Sequence, residues 1–114
     1  MTDTNPGQFT DPLIETHVWI QKCLPTPQDK DFHTQFGVFC EEVTETLHEL
    51  SVTNTETLLL LDSAKKAMHQ LAQHLKGESG CIFVQESNRQ LFLDGLCDVV
   101  VTSVTSAYTQ GLDI

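Results

Sequence analysis

The 114-residue chain carries 16 acidic and 6 basic residues, giving a net charge of −10 at pH 7 with 39% hydrophobic residues. That length suits a single domain over residues 1–114 with one modest core. So few cations exclude a nucleic-acid backbone as partner, because such binders cluster Lys and Arg; an anionic ligand has to be held largely through metal ions.

Residues 1–9 are polar, contain Pro6-Gly7, and read as a loose lead-in without the basic region and apolar run of a signal peptide. Asp11-Pro12 predicts a helix start, with Asp as N-cap and Pro at the first helical position. Leu13, Ile14, His17, Val18 and Cys23 give a helical stripe, ended by Pro25, since the residue before proline avoids helical dihedrals. Residues 25–30 read as a loop.

A second helix is expected from Asp31 or Phe32 to about Leu50, with Phe36, Phe39, Cys40, Val43, Leu47 and Leu50 as its apolar stripe. Gly37 inside it costs about 1 kcal/mol relative to Ala, which suggests close packing there. Thr53-x-x-Glu56 reads as a capping box opening a third helix. Its stripe is Leu58, Leu61, Ala64, Met68, Leu71 and Leu75, with Gly77 as C′ residue. After a turn over residues 77–80, Cys81-Ile-Phe-Val84 is a short apolar run that could be extended.

Ser87-x-x-Gln90 is a second capping-box match, opening a last helix from about Asn88 to Gln110 with Gly111 after it. Apolar side chains cover most of its circumference, and Asp94, Asp98, Thr102, Thr105 and Thr109 gather into one polar strip. A helix apolar nearly all round is expected to be buried. The chain as a whole therefore reads as all-α, and its uncovered apolar surface predicts at least a dimer.

No stretch approaches the roughly 18 apolar residues of a membrane span. Cys23, Cys40, Cys81 and Cys97 form no CxxC, sit among apolar neighbours and read as reduced core thiols. A cytoplasmic chain with no membrane partner is expected. There is no HExxH, no zinc-type Cys/His spacing and no glycine-rich phosphate loop.

The residues that carry chemistry are acidic. Cys40-Glu41-Glu42-Val43-Thr44-Glu45 puts Glu42 and Glu45 on one helical face with Glu41 beside them, and Asp94 and Asp98 project together one turn apart. Two helices that each offer a carboxylate pair can hold a hard divalent cation, because Mg²⁺ takes oxygen ligands and keeps several waters. For the glutamates alone, the polar face of an amphipathic helix explains as much. The aspartates are harder to dismiss, because ionised carboxylates in a buried helix are costly unless paired or metal-bound.

The histidines lack metal-ligand spacing. His48, one turn after Glu45, reads as solvated or as a support for that carboxylate. Lys65, Lys66 and Arg89 are the cations best placed in sequence to meet phosphates, although an exposed helix face also explains the lysine pair. Trp19 could stack on a base, or serve as a core or interface residue. Apart from Cys23, which follows Lys22, no cysteine has a basic neighbour in sequence to activate it.

Phe39-Cys-Glu-Glu-Val-Thr-Glu-Thr-Leu47, taken with Leu93-Asp-Gly-Leu-Cys-Asp-Val-Val-Val-Thr102 and Gly111-Leu-Asp113, resembles the MazG-like all-α nucleotide pyrophosphohydrolases. The likeness is to their phage-type and phosphoribosyl-ATP-pyrophosphatase-like branch, and covers roughly residues 32–50 and 88–114. It implies a four-helix, bundle-like fold assembled as a dimer or tetramer. It also implies hydrolysis of a nucleoside triphosphate to the monophosphate and pyrophosphate with Mg²⁺, for which Mn²⁺ could substitute. By position, Glu42, Glu45 and Asp98 become the metal ligands, and Glu41 and Asp94 become further ligands or groups that orient the attacking water. Two departures stand out: Gly95 occupies the place where many members carry Glu, and a long helix separates the two motifs. The reading from another class is a non-catalytic helical oligomer whose acidic cleft binds Mg²⁺ or a nucleotide.

Overall fold

The computed structural model describes residues 11–113, so the lead-in read over residues 1–9 lies outside the described residues. The protein is all-α, and no strand occurs among the described residues. Four helices follow in order: α1 (Pro12–Cys23), α2 (Asp29–His48), α3 (Thr55–Gly77) and α4 (Arg89–Thr109), with a 3-10 turn over Glu86–Asn88 before the last. The chain divides into two compact units, Met1–Cys81 and Ile82–Ile114.

Helix ends follow local chemistry, and not always where the sequence pattern places them. The Asp11 carboxylate accepts the Leu13 N–H at 2.9 Å and Pro12 opens α1, as expected. α2 begins two residues early because Gln28 and Asp31 form a reciprocal capping box, in which Asp31 accepts the Gln28 N–H at 2.8 Å. α3 is capped by Asn54, whose side chain accepts the Thr57 N–H at 2.8 Å; Thr53 is not the cap. Gly77 is the last helical residue rather than C′. The Ser87-x-x-Gln90 box is not made: the 3-10 turn takes its place and Asn88 stands at the N-cap without a side-chain bond. At the far end of α4, Gly111 has φ +72°, with Gly111 N–H on the Tyr108 carbonyl and Leu112 N–H on the Ala107 carbonyl, both at 2.9 Å. That is a Schellman stop, and it requires the left-handed conformation glycine adopts freely. Cys81–Val84 is irregular.

In the first unit, α2 and α3 form an antiparallel hairpin. Its seam matches the apolar stripes expected from the sequence only in part, through Cys40 on α2 and Leu61, Met68 and Leu75 on α3. On α2 the fully buried residues are His33, Gly37, Cys40 and Thr44, and on α3 they are Ala72 and Leu75. Leu61, Lys65 and Met68 continue the α3 seam half-buried. Small residues explain the rotation: a Cβ on Gly37 would stand 2.6 Å from Lys76 Cγ and 3.0 Å from the Ala72 carbonyl oxygen. The helices approach through this notch, and the bulkier residues are left on the flanks. Phe32, Phe36 and Phe39 line one flank with ring centroids 5.8 and 5.3 Å apart. Leu58 and Leu71, expected in the core, are exposed, as are Leu59 and Leu60.

The exit from α3 is strapped to the start of α2. Lys30 Nζ donates to the Lys76 and Glu78 carbonyls at 2.7 and 3.1 Å, satisfying acceptors that a helix end leaves open. The Asp29 carboxylate accepts the Gly80 N–H at 2.7 Å, and Gly80 has φ +74°. His33 is fully buried, and its Nε2 accepts the Cys81 N–H at 2.8 Å. A backbone N–H can only donate, so Nε2 carries no proton, and Nδ1–H donates to the Asp29 carbonyl at 3.0 Å.

The second unit consists of the 3-10 turn and α4. No residue of α4 is buried, which corrects the expectation of a buried helix. Glu86–Thr109 is moreover long and apolar enough to cross a membrane by length and composition, with a mean hydropathy of 1.3 over its best 18-residue window. A search for uninterrupted apolar residues misses it, because Asp94 and Asp98 break the run without lowering the average far. The cysteines also differ from expectation: Cys40 alone is buried, while Cys23, Cys81 and Cys97 are free and exposed. Burial pushes the Cys40 thiol above its ordinary pKa. α1, with Leu13, Ile14 and Trp19 all more than 60% exposed, packs on no other element among the described residues.

Candidate functional site

α2 presents the first acidic group on its outward side. Glu42 and Glu45 are exposed, and neither carboxylate has a hydrogen bond or ion pair among the described residues. Glu41 differs. It is half-buried at the hairpin seam, its Oε2 accepts from Lys76 Nζ at 2.6 Å, and Gln73 Nε2 reaches the same oxygen at 3.4 Å. The Lys76 hydrogen bond holds the Glu41 carboxyl below its ordinary pKa, against the smaller opposing effect of burial. Of the three glutamates, two are thus free to take a ligand and one already ties α2 to α3.

In the second unit, Asp94 and Asp98 lie one turn apart on α4, both exposed. Asp94 Oδ1 accepts from Gln90 Nε2 at 2.8 Å, which leaves its second oxygen open. The Asp98 carboxylate has no side-chain partner among the described residues, while its backbone carbonyl accepts from Thr102 Oγ1 at 2.9 Å. The threonines of the polar strip turn inward on their own helix, Thr105 to the Val101 carbonyl and Thr109 to the Ser106 carbonyl. What the strip offers a ligand is therefore carboxylate oxygen. No group of three or more His, Cys, Asp and Glu side chains stands together as a metal site among the described residues; the acids come as pairs.

The remaining residues singled out in the sequence lie apart from these pairs. Trp19 is exposed on α1, and Arg89 opens α4. Lys65 and Lys66 lie on α3, on the rim of a groove of about 350 Å³ that also takes in Thr44 and His48 from α2. Sequence reasoning read His69 of this groove only as a histidine without metal-ligand spacing and left Gln70 unread. Their signal is visible in retrospect: Asp62, Lys65, Lys66, His69 and Gln70 recur at helical spacing as a polar stripe beside Leu61 and Met68.

Comparisons with models of known protein families, with curated proteins and with solved structures return no match.

Proposed function

We propose that this protein is a cytoplasmic Mg²⁺-dependent nucleoside triphosphate pyrophosphohydrolase of the MazG-like all-α type. It would convert a (d)NTP and water to the (d)NMP and pyrophosphate, in nucleotide-pool control or house-cleaning. One observation carries the proposal: Glu42, Glu45 and Asp98, the residues the sequence motifs single out as ligands, are exposed acids with uncommitted carboxylates. The donor set suits a hard cation. Each pair offers anionic oxygen and nothing soft, and Mg²⁺ completes its octahedron with water and substrate phosphate rather than with an all-protein cage. Held by these carboxylates, Mg²⁺ would supply positive charge near a phosphoryl oxygen and would lower the pKa of a water.

The side chains divide the remaining work. By the motif resemblance, Glu42, Glu45 and Asp98 would be the cation ligands. Asp94, anchored by Gln90 through one oxygen, orients the attacking water and takes its proton through the other. Glu41 is the poorer base, because Lys76 stabilises its ionised form; its part is to fix the register of α2 against α3. A nucleotide brings further negative charge to a chain of net charge −10, so binding depends on the cation and on the few lysines.

A second reading, an acidic helical oligomer that binds Mg²⁺ or a nucleotide without turnover, is favoured by Glu41's commitment to Lys76. Incubation with a panel of dNTPs and Mg²⁺ separates the two. Pyrophosphate release supports the hydrolase, whereas nucleotide binding without release supports the second reading, and orthophosphate means that another bond is cut.

Assembly belongs to the proposal. The hairpin seam uses small residues and leaves Leu58 and Leu71 exposed on α3, and α4 carries exposed Leu91, Val101 and Tyr108. Lipid is a poor cover for α4, since an aspartate at a bilayer centre costs about 2.5–3.5 kcal/mol and this helix has two. Further copies of the chain are the expected cover. Sedimentation at micromolar concentration is expected to give a dimer or tetramer, shifted toward monomer by Leu71→Glu. A monomeric wild-type chain that floats with lipid vesicles contradicts this.

A further inference from the structure

The groove between the C-terminal half of α2 and the N-terminal half of α3 lies within the first unit and uses none of the free carboxylates. Thr44 and His48 line it from α2, and Lys65, His69 and Gln70 from α3. Its volume of about 350 Å³ sits at the small end of ligand pockets, which suits a phosphate chain better than a whole nucleotide.

The charges of this concavity run against those of the chain. Lys76 is occupied by Glu41, Lys30 by two carbonyls, and Lys66 by Asp62 at 3.0 Å. Lys65 is half-buried along the groove and has no acidic partner among the described residues. Asp62, the one carboxylate among the lining residues, is the one committed to Lys66. Glu41, near His69, is offset by Lys76. The other lining residues bring together a lysine, two histidines and a glutamine, side chains able to donate hydrogen bonds. The Thr44 hydroxyl is turned away, donating to the Cys40 carbonyl at 2.9 Å.

We infer that this groove is an anion site for a short phosphate chain, with the Lys65 ammonium as its charge and His48, His69 and Gln70 as further hydrogen-bond donors. The inference deepens the hydrolase proposal, on which it rests for the natural ligand, by naming where the polyphosphate end of a nucleotide lies. Its physical content is separable, because the donors act without the metal.

The test is an NMR titration of the intact protein with inorganic pyrophosphate in the presence of EDTA. Amide shifts are expected at residues 44, 48 and 62–70. Lys65→Ala is expected to weaken binding about tenfold, equivalent to about 1.4 kcal/mol, while Lys65→Arg retains it and Lys22→Ala leaves it unchanged. Lys65→Gln, which keeps the buried stem, separates loss of charge from loss of packing. Absence of shifts in the groove, or equal affinity in Lys65→Gln and wild type, overturns the inference. Pyrophosphate binding by a chain that hydrolyses no dNTP supports the groove and removes the hydrolase; turnover without groove shifts does the reverse.

Discussion

Asp98→Asn and Glu42→Gln are each expected to cut Mg²⁺-dependent pyrophosphate release about 100-fold or more, equivalent to about 2.7 kcal/mol of barrier. Both substitutions keep the size and shape of the side chain and remove an anionic oxygen, so a structural role alone predicts little change. Both positions are exposed, and neither carboxylate makes an ion pair or hydrogen bond among the described residues. Circular dichroism of the two variants should match wild type. Glu49→Gln serves as control, since Glu49 is equally exposed on the turn that ends α2 and lies outside the Glu42/Glu45 pair. Steady-state assays with pyrophosphate detection decide the matter, and wild-type rates in either variant remove that residue from the cation site.

Substitution of Gly37 is expected to have the largest effect on stability. In a free helix Gly→Ala is favourable by about 1 kcal/mol. Here the added methyl meets Lys76 Cγ at 2.6 Å and the Ala72 carbonyl oxygen at 3.0 Å. Lys76 cannot yield freely, because its ammonium is held by Glu41 at 2.6 Å. Overpacking of this kind costs about 1–3 kcal/mol, which matches or exceeds the gain in propensity. Gly37→Ala is therefore expected to lower the unfolding free energy slightly, and Gly37→Leu to lower it by about 3 kcal/mol. Gly77→Ala, where nothing lies within 4 Å of the new atom, should be neutral or mildly stabilising. Urea denaturation followed by circular dichroism reads all three. A stabilised Gly37→Leu variant would mean that α2 and α3 do not meet at this notch.

Helix identity was legible because the period of apolar residues and the Asp11-Pro12 start act locally. The four helices fall within about three residues of their expected bounds, and Gly37 was rightly suspected of close packing. Which face of each helix is buried was legible only in part: Leu61, Met68 and Leu75 of the expected α3 stripe lie on the seam, but on α2 only Cys40 does. Periodicity finds the most apolar stripe, but a hairpin packs where backbones can approach, and the seam His33–Gly37–Cys40–Thr44 is small or polar. Of the large residues in the expected stripes, Leu75 is buried, Phe36, Phe39, Val43, Leu47, Leu61 and Met68 are half-buried, and Leu50, Leu58 and Leu71 are exposed.

His33 escaped notice for a similar reason. Its partners are the backbone of Asp29 and the N–H of Cys81, the latter 48 residues away, and no spacing rule reports such a bond. The acidic pairs were legible as i, i+3 and i, i+4 patterns. That Glu41 belongs to Lys76 was not, since the two are 35 residues apart in the chain. Capping boxes were over-read at Thr53 and Ser87, where Asn54 and a 3-10 turn prevail.

The most direct test of the cation site is Mn²⁺ titration of the intact protein followed by electron paramagnetic resonance, with Mg²⁺ competition. Saturable binding displaced by Mg²⁺, and weakened at least about tenfold (about 1.4 kcal/mol) by both Glu42→Gln and Asp98→Asn, is the expected result. Binding of wild-type strength in both variants, or none in the wild-type chain, would contradict Glu42 and Asp98 as cation ligands.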